Sequence, residues 1–92
     1  MKNGNITEFM DKLYLGEELL FEYKELEYFI QGWNENATSI MVVDCYTGKP
    51  FENYFWKCKA TTMLECAEAF LNAEIWDGKS FLQIQNDVTW KN

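Results

Sequence analysis

Apolar positions near the start of the chain recur at helical spacing. Ile6, Phe9, Met10 and Leu13 fall on one stripe, separated by Thr7, Glu8, Asp11 and Lys12. Residues three and four apart share a helix face, so the stripe predicts an amphipathic helix over residues 5–14. Asn5 occupies the N-cap position with Glu8 three residues on, the spacing at which both side chains can satisfy free backbone N–H groups. Gly16 supplies the stop. From Leu19 the period drops to two. Phe21 and Tyr23 alternate with Glu22 and Lys24, and Leu26, Tyr28 and Ile30 alternate with Glu27, Phe29 and Gln31. Two alternating runs either side of Lys24–Glu25 predict a β-hairpin. Gly32 and Asn34-Glu35-Asn36 mark the next turn.

Residues 39–46 hold the consecutive apolar run Ile40, Met41, Val42 and Val43, which predicts the most hydrophobic strand and places it centrally in a sheet. Thr47-Gly48-Lys49-Pro50 is a turn, and residues 54–59 return as a fourth strand. Helical spacing resumes at Thr62, where Glu65 completes a capping-box spacing. Met63, Leu64, Ala67, Phe70 and Leu71 make the inward stripe of that helix, and Glu65, Glu68 and Asn72 its outward face. Asp77-Gly78 breaks the chain. Ser80 and Gln83 repeat the capping-box spacing ahead of Phe81, Leu82 and Ile84, and residues 88–90 offer a short terminal strand. The reading is an α+β fold: an N-terminal helix, an antiparallel meander of three or four strands, and C-terminal helices packed on one face.

Length changes this picture little, because 92 residues form one domain, 1–92, with one core. Aromatic content changes it more. Seven Phe, five Tyr and four Trp exceed what so small a core needs, so some of Trp33, Tyr46, Tyr54, Phe55, Trp56 and Trp90 are expected at the surface, where aromatic side chains serve recognition. Fifteen carboxylates oppose eight lysines for a net charge of −7. That balance argues against direct nucleic-acid binding, which needs clustered cations, and against anionic membranes. It favours a basic protein partner.

The sequence contains neither histidine nor arginine. The first absence removes the usual acid–base group near neutral pH, and the second the bidentate clamp for carboxylate or phosphate. Cys45, Cys58 and Cys66 are odd in number and lack a CxxC pair, so neither a disulfide framework nor a zinc site is expected. Cys45 and Cys58 can meet across neighbouring strands as buried thiols. Residues 1–10 lack the apolar run of a signal peptide, and no stretch reaches the roughly 20 apolar residues of a membrane span, so the expected location is the cytoplasm. Asp44 and Asp77 lack a companion motif for metal binding, and no glycine pattern signals a nucleotide. Neither catalytic residues, a metal nor a cofactor is therefore expected, and the chain reads as a non-enzyme.

The densest charged feature is Glu17, Glu18, Glu22, Glu25 and Glu27. On the hairpin, Glu22 projects from the side opposite Phe21 and Tyr23, and Glu25 sits at the turn. Residues 68–76 are amphipathic enough either to fit a partner's groove or to pack into the core.

The strings FMDKLYLGEELLFEYKELEYFIQGW and EAFLNAEIWDGKSFLQIQNDVTW resemble a group of small proteins of Firmicute genomes and their mobile elements. The most specific matches are Leu13-Tyr14 followed by Gly16-Glu17, and Ile75 with Asp77-Gly78-Lys79-Ser80-Phe81. The group brings no activity or catalytic residue to transfer. By class and size it is similar to anti-CRISPR and other anti-defence proteins, which bind and disable a host protein. The resulting expectation is a non-enzymatic protein–protein interaction module, an inhibitor of a basic, nucleic-acid-handling partner. Glu22, Glu25 and Glu27 supply charge, and Tyr28 and Trp33 supply aromatic anchors. The alternative is a small-molecule-binding domain with an aromatic-lined pocket between the sheet and the second helix.

Overall fold

The alternation along the chain becomes a five-stranded antiparallel sheet in the computed structural model, which describes residues 1–48 and 50–92. Helix α1 spans Ile6–Tyr14, and the Asn5 side chain accepts from the backbone N–H groups of Thr7 and Glu8. The chain turns at Gly16, whose φ of +76° lies where a side chain would strain the backbone. Strands β1 (Leu19–Tyr23) and β2 (Leu26–Asn34) form the expected hairpin, with Phe21 opposite Tyr28 and Glu22 opposite Glu27. Its two turn residues, Lys24 and Glu25, take φ values of 49° and 66°. Left-handed values at both positions match the twist of the flanking strands, at a cost of about 1–2 kcal/mol for each residue that is not glycine.

Strands β3 (Met41–Thr47) and β4 (Asn53–Ala60) extend the meander, and β5 (Thr89–Trp90) adds to β1, giving the order β4-β3-β2-β1-β5. The apolar run of β3 is interior as expected, but the middle position belongs to β2. The turn expected at Thr47-Gly48-Lys49-Pro50 includes Lys49, which lies outside the described residues. The outer edge of β5 is closed by the start of the chain. Lys2 N–H donates to the Val88 carbonyl at 2.8 Å, and Trp90 N–H donates to the Lys2 carbonyl at 2.9 Å. The opposite edge, β4, bears Lys57 and Lys59, side chains of the kind that discourage edge-to-edge pairing.

Helices α2 (Met63–Asn72) and α3 (Phe81–Ile84) join α1 on one face of the sheet. Thr62 caps α2, and Ser80 with Gln83 forms a complete capping box on α3. Leu64, expected inward, is 51% exposed, and Cys66 is buried in its place. The helix presents 63, 66, 67, 70 and 71 to the sheet, and Leu64 sits about 100° round from Met63. Of the six aromatics from which surface rings are expected, Trp90 is buried, because its strand position pairs it with inward Phe21. The core gathers around Phe21, which meets the rings of Phe9, Tyr28, Phe70, Trp76 and Phe81 at centroid distances of 5.3–6.4 Å. Gly32 lets the α1–β1 loop and α2 close on this face, since an added Cβ would come within 2.6 Å of Met63 Sδ and 2.8 Å of Gly16 Cα.

Candidate functional site

All three α-helices lie on one side, so among the described residues no α-helix covers the other side of the sheet. Strand alternation and register assign its residues. One row crosses four strands: Leu20 on β1, Phe29 on β2, Tyr46 on β3 and Tyr54 on β4. Tyr46 stacks on Tyr54 at 4.8 Å, and Phe29 lies 6.3 Å from Tyr46 and 5.7 Å from Phe51. A β-bulge between Cys45 and Tyr46 brings Tyr54, not Phe55, opposite Tyr46 and turns Phe55 to the inner face. Tyr54 is 58% exposed.

The next rows hold Gln31, Asp44 and Lys57, then Trp33, Val42 and Lys59. Val42 and Asp44 are fully buried although no helix covers them. Trp33 stands opposite Val42, and its indole Nε1 donates to Asp44 Oδ2 at 2.8 Å. The indole therefore lies along the sheet and shields both residues. Asp44 Oδ1 has no hydrogen-bond donor among the described residues. The hydroxyl of Tyr46 is held well above the ordinary tyrosine range, first by its hydrogen bond with Tyr54, then by burial and the charge of Asp44.

Charge on this face is divided. Glu22 and Glu27 lie opposite each other across β1 and β2, a costly arrangement for like charges, and Lys91 approaches Glu22 at 3.6 Å. At the β4 end, Lys59 is paired with Glu35 at 2.6 Å, and the Lys57 ammonium lies 5.2 Å from the Tyr54 ring centre. The expected partner-binding residues thus divide. Glu22, Glu27 and Trp33 share the outer face, the glutamates paired near the hairpin turn and Trp33 at the other end of β2, and Glu25 sits at the hairpin turn. Tyr28 does not join them: it is 5% exposed and stacks on Phe21 at 5.3 Å. Its even position on β2 points it at the helices, which overturns its role as a surface anchor. Phe29, Tyr46, Tyr54 and Asp44 complete the face. Phe29 was signalled by occupying the polar phase of an alternating strand.

A concavity of about 210 Å³ opens at the hairpin tip and is lined in part by Tyr23, Tyr28, Phe55 and Trp76. It sits beyond the C-terminal end of α2, not between that helix and the sheet. At its rim the Lys24 ammonium donates to Asp77 Oδ2 at 2.7 Å. The hydrogen bond and opposite charge raise the Lys24 pKa and lower that of Asp77. Asp77, with φ of 54°, shares the left-handed backbone of Lys24. The Trp76 indole N–H is sealed from water, with no acceptor among the described residues.

The three cysteines are free thiols. Cys45 lies opposite Trp56 and Cys58 opposite Val43, so the two are diagonal neighbours on the inner face. Burial, reinforced by the Cys58 charge, pushes the Cys66 thiol up to about 11, and burial followed by the charge of Asp44 pushes Cys45 up as well. Such thiols hold their protons and are poor nucleophiles. Among the described residues, no three His, Cys, Asp or Glu side chains cluster so as to hold a metal ion. Among the described residues, no helix is long and apolar enough to cross a membrane. Comparison with protein families, curated sequences and solved structures gives no match, so the functional reading rests on this geometry.

Proposed function

We propose that the chain is a non-enzymatic protein–protein interaction module that docks a basic, nucleic-acid-handling partner on its outer sheet face. One observation carries the reading: the aromatic row Phe29, Tyr46 and Tyr54 lies, with Trp33 two rows further along, on a sheet face that none of the three α-helices covers. An antiparallel sheet that faces water on one side normally turns polar residues outward. A contiguous apolar patch there marks an interaction surface, and aromatic side chains are the residues that interfaces enrich. The net charge of −7 favours encounter with a basic surface. Glu22, Glu25 and Glu27 place negative charge beside the row, along the hairpin. In the form that the sequence resemblance implies, the partner is a host protein disabled by a protein of a mobile element.

The test is a tagged pull-down from nuclease-treated bacterial lysate at low salt, read by mass spectrometry. The wild type runs beside Glu22→Lys/Glu25→Lys/Glu27→Lys, Tyr54→Ser and, as a control on the helical side, Leu64→Ser. The expected result is a basic protein retained by the wild type and the control and lost with both other variants. Capture that ignores Tyr54→Ser and the charge reversal, or no capture at all, would refute the reading.

A further inference from the structure

The concavity at the hairpin tip has a chemistry of its own. Tyr28, Phe55 and Tyr23 stand around Trp76 at centroid distances of 5.0, 4.8 and 5.7 Å, with Leu26 and Ile75 completing apolar walls. Ring faces carry negative charge density and attract cations. A carboxylate waits at the mouth, and the chain's own Lys24 ammonium already occupies the spot, 2.7 Å from Asp77 and 5.4 Å from the Tyr23 ring centre. A carboxylate and an aromatic ring are the contacts an organic cation seeks when its stem is buried among rings. The volume of about 210 Å³ falls below the roughly 300–1,000 Å³ of drug-sized pockets, which suits one side chain or a single ring.

We propose that this pocket binds an ammonium group carried on an apolar stem. Asp77 serves as counter-ion, the rings enclose the stem, and Lys24 is the internal cation that the ligand displaces. The side chains of Lys24 and Asp77 are 65% and 68% exposed, so their pairing is held weakly and yields to a cation with a better-buried stem. A carboxylate ligand meets Asp77, and the lysine among the described lining residues, Lys24, is already paired. The site is independent of docking on the outer face and stands whether or not that docking is found.

Benzylammonium and benzoate, which share a ring and differ in charge, are the probes. Each is titrated into the full chain at low salt while the Trp76 indole N–H and Gly78 amide are followed by NMR. Benzylammonium is expected to give saturable shifts at both positions and benzoate none. Asp77→Asn should weaken benzylammonium severalfold. Lys24→Asn, which suits a left-handed backbone, should tighten it by up to about fivefold, the size of an exposed ion pair. A lysine blocked at both ends distinguishes the source: binding as tight as benzylammonium assigns the pocket to a partner's side chain, and clearly weaker binding assigns it to free amines. Thermal unfolding establishes that each variant is folded. Equal binding of benzoate, indifference to Asp77→Asn, or no saturable shift in wild type and Lys24→Asn alike would overturn the site. Unchanged affinity in Lys24→Asn would overturn displacement of Lys24.

Discussion

The two faces of the sheet are built from the same alternating strands, yet they bury side chains by different means. On the inner face, Phe21, Ile30, Val43 and Cys45 disappear under three helices and among close-packed rings. On the outer face, Val42 and Asp44 are as deeply buried without an α-helix above them, and the Trp33 indole beside them is tied to Asp44 by a hydrogen bond. The inner face is secured by many interchangeable apolar contacts. The outer face depends on one polar contact above a carboxylate, so its integrity is local.

The comparison is tested most strongly by Phe21→Ala. Phe21 is fully buried at the centre of the inner rings, and loss of such a side chain removes burial energy and leaves a cavity. A cost of about 3–5 kcal/mol is expected, a large share of the stability of a small domain, measured by denaturant unfolding. A loss below about 1 kcal/mol would mean that the inner face is not the stabilising one.

Trp33→Phe follows in size. Phenylalanine preserves most of the apolar cover over Val42 but removes the donor to Asp44 Oδ2, and Oδ1 already lacks one. A buried acceptor stripped of its donor costs about 1–3 kcal/mol. Equilibrium unfolding of the variant checks this, and an unchanged midpoint would show that the indole covers the face by packing alone.

A smaller effect comes from the inner-face thiols. Cys66 ionises near 9 in its ordinary state and near 11 when folded, so above pH 9 the native chain keeps a proton that the unfolded chain sheds. The native state then binds more protons, and its stability falls as pH rises. The contribution is intact below pH 9 and is lost progressively towards pH 11. Melting temperatures measured at steps from pH 8 to 10.5 should decline less steeply in Cys66→Ala than in the wild type. Parallel declines would remove the thiol as the cause.

Much of the inner face was legible in the sequence, because periodicity reports which residues turn one way. The stripe of α1, the hairpin turn at Lys24–Glu25 and the Ser80–Gln83 capping box all follow from local spacing. Leu64 lies outward against expectation, and the burial of Trp90 was not readable, because phase within a helix and pairing of a two-residue strand are decided by tertiary contacts. The outer face was harder to read. Glu22 and Glu27 were visible as the polar phase of the hairpin, but the run Ile40–Val43 is apolar on both phases, so nothing local says which of Val42 and Val43 faces the helices. Tyr54 joins the outer row only because a bulge shifts β4 by one residue, and bulges leave little trace in sequence. Tyr28 was assigned outward through its proximity to the glutamates, although its own alternation with Glu27 and Phe29 already placed it with Phe21.

The smallest expected change in stability gives the sharpest test of what the outer face is for. Tyr54 is the most exposed member of the aromatic row, at 58%, and contributes stacking on Tyr46 with little burial. Tyr54→Ser should therefore alter stability by no more than about 0.5–1 kcal/mol, the worth of one exposed ring pair. The same substitution removes the most exposed ring of the proposed docking surface, where one well-placed aromatic can carry 2 kcal/mol or more of binding, roughly thirtyfold in Kd. An inner-face residue cannot show this pattern, because its loss weakens folding and binding together. Unfolding and binding measured on the same preparation separate the cases. Preserved stability with lost binding assigns the exposed rings to recognition, and preserved stability with preserved binding returns them to the role of a partly covered sheet surface.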